Sequence, residues 1–574
     1  MSELTELFRL DKVPFSAPGA HLCIYEDVDD KKLHMSCAYS ENIGSGIPHG
    51  LTLTFMDGDA ELPYTYACEP TKLTVTTEKG TAEFVFQSKT LMRIRVKGIS
   101  VWFNYEPAVF EGCCLVAEDV LHMEGAFGKF EFTSVVPGTM RQNSRWYFRN
   151  AASFPFHVTA LPAGADGVGE IALYSFFSNN RPLRKYMPFE LAEANMAEDY
   201  RQFCMDLPAG GGAAAELARY TLWMSQMGPD RALKATVFYA PKLQLLRAYM
   251  WHQPLIAMAF RGSAKTAWDA IVNMLAYQAD NGAMPDSMDD DNHAEWLSSR
   301  MPVVGWSVCW ILDNLDTKEL KYLDYDAMYK GLTRYADWWM KFRDFGGKGV
   351  PCYATIRDCG YYDSSLFSGG LPARTPDLTA YMALLYEACE KLAVITRRPE
   401  AAAVWAERSK AMIDYLTQKL WNGKKLLIEN AVTGEKYESA SALMFTPVIL
   451  GKRLSAEILD YVTAELTNPQ FYLTDLGVTS ECQQSPCFSA SAIARGRVVA
   501  PIDMILCQGL KAAGKEAEAK MIASRYLAAA AKLGFGLALD PTGTAEPDKG
   551  MFSPDQYFYS VSAAAYLFLM GEFC

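Results

Sequence analysis

From residue 1 to about 190, apolar and polar positions alternate along the chain. LTLTFM (51–56), KLTVTT (72–77), AEFVFQ (82–87), MRIRVKGISVWF (92–103) and KFEFTSV (129–135) all carry this two-residue period. Such a period turns one face of a strand inward and the other outward. Gly, Pro and Asp interrupt the segments at short spacing, so the pattern predicts an antiparallel β-sandwich over 1–190. The stretch MPFELAEANMAEDYRQFC (187–204) changes to a helical period, and AGGGAAAE (209–216) reads as a hinge. Residues 191–212 are therefore expected to be a linker helix and hinge.

From about residue 213 the apolar period is 3.6 and stays so to the end. It predicts helices near 213–228, 247–260, 263–280, 302–316, 325–344, 376–396, 400–420, 438–450, 454–467, 496–513, 515–533 and 557–572. Links from an even to the next odd helix are a few residues, as at RGS (261–263). Links from an odd to the next even helix are long. In a ring of antiparallel helices all the long links fall on one end, which predicts an (α/α)6 toroid over 213–574 with its pocket at that end.

Composition narrows the class. Half of the 574 residues are apolar and 21% are charged, as in globular proteins, and the length calls for two or more domains. A net charge of −13 argues against a nucleic-acid partner. No apolar run approaches the roughly 20 residues that span a bilayer. The opening MSELTELFRLDK lacks the basic-then-apolar pattern of an export signal, so a cytoplasmic location is expected. The 14 cysteines are scattered without a CxxC pair and read as buried reduced thiols. No cofactor is expected, and no Cys/His spacing suits zinc. A homo-oligomer is compatible with all of this.

The long links hold residues suited to sugars. Trp251, His252 and Gln253 open an inner helix. DNGAMPDSMDDDNHAEWLSSRMPVVGW (280–306) carries Asp286 and Trp306, and TIRDCGYYDSSLFSGG (355–370) carries Asp358, Tyr362 and Asp363. TDLGVTSECQQSP (474–486) carries Glu481, and LDPTGTAEPDKGMFSPDQYFY (539–559) carries Asp540 and Glu546. Aromatic faces stack on the C–H faces of a pyranose while carboxylates take its hydroxyls, so a small carbohydrate is the expected ligand. Trp251 and Trp306 are expected to line the pocket, whereas the run Asp289–Asp291 reads as a solvated loop. Glycosidic cleavage needs two carboxyl groups, and Asp286, Asp358, Asp363, Asp475, Glu481, Asp540 and Glu546 are candidates. Asp363 stands out because Tyr361 and Tyr362 could desolvate it and raise its pKa, as an acid catalyst requires.

The helical half resembles glycoside hydrolase family 63, the group of processing α-glucosidases and mannosyl- and glucosylglycerate hydrolases. QADNGAMP (278–285) with RMPVVGWSV (300–308), CGYYDSS (359–365), PDLTAYMALLYEACEKLA (376–393), ARGRVVAPIDMILCQGL (494–510), and LDPTG (539–543) with FSPDQYFYSVSAAAYL (552–567) are similar to the family's motifs, in order. The resemblance implies cleavage of a terminal, α-linked sugar by inversion, puts Asp363 on the general acid, and makes Arg495 a substrate contact. Three positions depart from the family. The general-base glutamate falls on Leu537, the Trp-Asp pair of the first inner helix is Trp251-His252, and two motif tryptophans are Ala494 and Val499. An alkyl side chain cannot act as a base, so Glu546 is the first replacement and Glu481 the second. The competing readings are an epimerase, isomerase or lyase on the same barrel, using His252 and His293, and a carbohydrate-binding protein with a decayed site.

Overall fold

The computed structural model describes residues 8–27, 29–37, 50–125, 128–147, 152–163, 166–176, 185–243, 246–291, 293–543 and 558–574. The chain forms two compact units. One comprises Met1–Cys204, Arg219–Met227 and Pro241–Leu246, and the other Met205–Ala218, Gly228–Ala240 and Arg247–Cys574.

The first unit is the β-sandwich. A seven-stranded sheet runs from Leu22–Glu26 at one edge, through Leu51–Asp57 and Ser100–Tyr105, to Met140–Gln142. An eight-stranded sheet runs from Gly112–Ala117, through Gly128–Ser134, to Thr65–Glu69. Neighbouring strands are antiparallel. The predicted alternation is visible in Ser100–Tyr105, where Val101, Phe103 and Tyr105 are buried and the residues between them are half-exposed. Phe103 meets Phe132 of the other sheet at 5.3 Å between ring centroids. The long segment 92–103 splits into two strands at Gly98, whose φ of +73° suits a residue without a Cβ. Helix α1 (Phe189–Met205) lays Phe189 and Ala192 against Val85, and the Arg95 guanidinium sits 3.9 Å over the Phe189 ring.

The second unit is the (α/α)6 toroid. After α2 (Gly212–Met224), which the two units share, come α3 (His252–Ala257), α4 (Ala264–Leu275), α5 (Val304–Asn314), α6 (Tyr322–Arg343), α7 (Pro376–Ile395) and α8 (Pro399–Lys419). A 3-10 segment (Ala442–Arg453) is followed by α9 (Ala456–Leu466), α10 (Ala500–Ala512), α11 (Glu516–Leu533) and α12 (Ser560–Phe573). Six of these close an inner ring: α3 packs on α5, α5 on α7, α7 on the 3-10 segment, that segment on α10, α10 on α12, and α12 back on α3. The others lie outside, with α4 on α3 and α5, α8 on α7, and α11 on α10 and α12. The division follows composition. Nearly every residue of α12 is buried, whereas α8 and α11 are one-sided with charges outward. Pro376, Pro399 and Pro501 lie in the first turns of α7, α8 and α10, where a missing N–H costs nothing.

Two elements differ from the periodic pattern. Helix α3 starts at His252 rather than near 247, because Ala248–Tyr249 pair with Ser287–Met288 as a ladder. The helix expected at 438–450 is the 3-10 segment. Pro447 removes a donor inside it, and Gly451 leaves helical geometry at φ 57°, ψ −134°.

Candidate active site

All six long links lie before the first residue of an inner helix, so they share one end of the toroid. Two-residue ladders tie them, as between Val498–Val499 and Leu539–Ala538. Side chains bind the second link to the third. Asp358 accepts from the N–H groups of Ala354 (2.8 Å), Thr355 (3.0 Å) and Ser299 (3.1 Å) and from the Ser299 hydroxyl (3.1 Å). Asp286 holds Arg300 in a two-pronged ion pair and takes the Ser298 hydroxyl at 3.0 Å. Arg300 also donates to the Arg357 carbonyl at 2.8 Å and to the Tyr362 hydroxyl. Its φ of +44° marks a backbone held by these bonds.

The third and fifth links meet through carboxyls. Asp363 is half-buried and accepts from the Ala494 N–H at 3.1 Å. Two residues on, the Ser365 hydroxyl donates to Glu481 at 2.6 Å, and Ser485 donates to its other oxygen at 2.6 Å. Ser364 and Ser365 also face Ser441 and Ser439, at 3.1 and 3.2 Å. Burial pushes the Glu481 carboxyl up, against the pull of the two serine hydroxyls and of Arg495. Arg495 is half-buried beside this group, and its guanidinium donates to the Cys487 carbonyl at 3.5 Å. Asp363 and Glu481, named from sequence, thus stand on two links that touch through Ser365.

The other expected residues are placed as follows. Gln253 is spent on the main chain: its amide accepts from the Phe238 N–H at 2.9 Å and donates to Phe238 O at 2.9 Å and Tyr249 O at 3.2 Å. Asp358 and Asp286 are buried, and the bonds above tie both into the loops. Trp306 is buried within α5, and Trp251 is buried with its ring edge against His252 (4.1 Å) and Tyr361 (5.8 Å). Tyr362 is 49% exposed and turned to Arg300, and Tyr361 is buried against Trp251. Asp475 is fully exposed beside Arg525. Asp540 accepts from Thr542 at 2.9 Å, and Glu546 lies outside the described residues. The acidic run expected to be solvated is buried at Asp289 and Asp290. Arg247 neutralises the first at 3.2 Å and Arg231 the second at 2.9 Å.

The two histidines have unlike surroundings. His293 is largely exposed, 3.5 Å from Asp289. His252 is buried and its Nε2 has no hydrogen-bond partner among the described residues. Burial, with the Arg300 charge, lowers its pKa to about 3, so the ring is neutral. Sequence reading missed Arg300, Ser365 and Ser485. Arg300 sits inside the quoted RMPVVGW segment, and Ser365 ends CGYYDSS.

A closed ring of six inner helical segments, backed by an outer layer of helices and with its long links on one end, is the architecture of a six-hairpin glycosidase. The family model described as the mannosylglycerate hydrolase MGH1-like glycoside hydrolase domain matches residues 248–560. That is over half of the chain, which belongs to this family and is a glycosidase. No curated protein matches the chain in sequence. The family 63 mannosylglycerate hydrolase of Thermus thermophilus, solved in complex with glucose, is 16% identical with a TM-score of 0.50, covering 62% of this chain and 99% of its own. A bacterial glucoamylase complexed with acarbose is 12% identical with a TM-score of 0.64, covering 98% of this chain and 94% of its own. At these identities the two structures speak for the fold alone. No helix among the described residues is long and apolar enough to cross a membrane.

Proposed function

We propose that the protein cleaves a terminal, α-linked sugar from a small glycoside by inversion, with Asp363 giving the proton and Glu481 directing the water. One observation carries the pairing: the Ser365 hydroxyl, two residues from Asp363, donates to Glu481 at 2.6 Å. That contact sets the link carrying Asp363 against the link carrying the buried Glu481, and unequal environments are how two carboxyls divide acid and base chemistry. All fourteen cysteines are free thiols, which supports a reducing, cytoplasmic setting.

Asp363→Asn is expected to lower turnover at least about a hundredfold, the low end for acid–base catalysis. The loss should shrink on a glycoside whose departing phenol is already acidic, because that group leaves without a proton. Glu481→Gln should lower turnover equally for every leaving group, since water attacks in each case. Near-normal hydrolysis of a disaccharide by Asp363→Asn would remove this residue from the mechanism. A second reading exchanges the roles and draws on the upward shift of the Glu481 carboxyl. The leaving-group pattern would then follow Glu481→Gln. Two carboxyls and a water suffice for the reaction, so EDTA should leave turnover unchanged. A loss restored by a divalent ion would contradict the proposal.

A further inference from the structure

The seven-stranded sheet of the first unit carries a cavity of about 540 Å³ that the hydrolytic reaction does not use. It is lined by Asp30, His34, Thr52, Asn104, Glu106 and His157, among others, and its volume lies in the range of small-molecule sites. In the strands Ser100–Tyr105 and Phe156–Ala160, the buried residues Val101, Phe103, Tyr105, Phe156 and Val158 fill the core. Asn104 and His157 alternate with these and are paired across the two strands.

Both side chains are held in one orientation. The Asn104 amide N–H groups donate to the Thr52 carbonyl at 3.0 Å and the Thr54 hydroxyl at 3.1 Å, which leaves Oδ1 as the atom that accepts. Asn143 accepts from the His157 backbone N–H through Oδ1 at 2.8 Å. Its amide nitrogen therefore faces the His157 Nδ1, at 3.3 Å. An amide N–H there makes Nδ1 the acceptor and sends the ring proton to Nε2. Burial lowers the His157 pKa, so the ring stays neutral. Trp102 stacks on it at 4.0 Å and 9°, fixing its plane.

Cross-strand partners stand about 5 Å apart, so a ring N–H donor and an amide acceptor sit side by side. That pair is the complement of two neighbouring hydroxyls, one accepting and one donating. Asp30 and Glu106 add acceptors, and no Lys or Arg stands among the described lining residues, so the chemistry disfavours an anion. We infer that this cavity binds an uncharged sugar through a pair of vicinal hydroxyls, at a site on the β-sandwich separate in sequence from the hydrolytic carboxyls.

The test uses the full chain and uncharged α- and β-linked glucose and mannose trisaccharides, with binding read by calorimetry in the Asp363→Asn background. His157→Phe keeps a ring on Trp102 and removes the donor, and should weaken binding at least about tenfold, the worth of one lost hydrogen bond. His157→Gln restores an N–H near the same place and should recover most of it. Both should hydrolyse short glycosides as the unaltered chain does when Asp363 is present. Glu106→Ala, at an exposed position, supplies a second variant should His157→Phe fail to fold, and it too should weaken binding. The inference is overturned if folded His157→Phe or Glu106→Ala binds every probe as before. It is equally overturned if all binding is displaced by a competitor of hydrolysis. Neither result bears on the roles of Asp363 and Glu481.

Discussion

A carboxylate in a loop can serve a substrate or serve the loop, and Asp358 serves the loop. Its four donors come from two links. Asp358→Asn would turn an amide N–H toward one of them, at a cost of about 3 kcal/mol for a charged acceptor lost in a buried site. Thermal melting should fall by several degrees, and an unchanged melting point would show these bonds to be dispensable. Titration separates two other buried residues. The folded pKa of His252 is lowered to about 3 from 6.5, so the unfolded chain binds the proton more readily and stability rises as pH climbs through that window. Asp377, buried in the first turn of α7, is raised to about 6 from 3.8, so its contribution falls as pH rises over that range. The two oppose each other. Asp377→Asn should therefore steepen the rise of melting temperature with pH between 3.8 and about 6, and an unaltered slope would mean that Asp377 titrates normally. At this scale the sequence was partly legible. Asp363 could be singled out by its tyrosine neighbours and its motif, and Glu481 only as one of several loop carboxyls that could replace the missing base. The spent states of Gln253, Asp286 and Asp358 could not be seen, because their partners lie in other links or across main-chain turns. Arg300 and Ser365 escaped for the same reason.

Among the elements, close packing falls on particular glycines. A Cβ on Gly305 of α5 would stand 2.3 Å from the Leu385 Cα of α7, where backbone meets backbone. Gly331 of α6 would meet only the Leu275 side-chain end, at 2.6 Å. Gly305→Ala should thus cost more than about 3 kcal/mol by forcing two inner helices apart, and Gly331→Ala about 1 kcal/mol or less. Denaturant melts of the two variants would test the order, and equal losses would refute it. Helices and strands were legible almost throughout, because burial on one face imposes its period on the side chains. The exceptions have local causes. Pro447 and Gly451 act on main-chain geometry rather than on period, and the ladder at Ala248–Tyr249 depends on residues from a distant link.

For the molecule as a whole, the alternation of short and long links was enough to foretell a ring with its long links on one end, since link length constrains topology more tightly than any single residue does. Closure of that ring has a further consequence. An open stack of hairpins can lose a terminal repeat and keep the rest, each repeat answering only to its neighbours. Here α12 touches both α10 and α3, so no inner helix is terminal in space even though α12 follows the others in sequence. Shortening the chain before Ser560 would expose two apolar walls at once and reopen the circle. Helical content of such a chain should collapse well beyond the share carried by α12 alone, as far-ultraviolet dichroism would read. A proportional loss would mean that the toroid behaves as a stack. Cooperativity in this unit is thereby a property of connectivity: the inner helix synthesised after all the others is the one that gives both the first and the fifth their second neighbour in the ring.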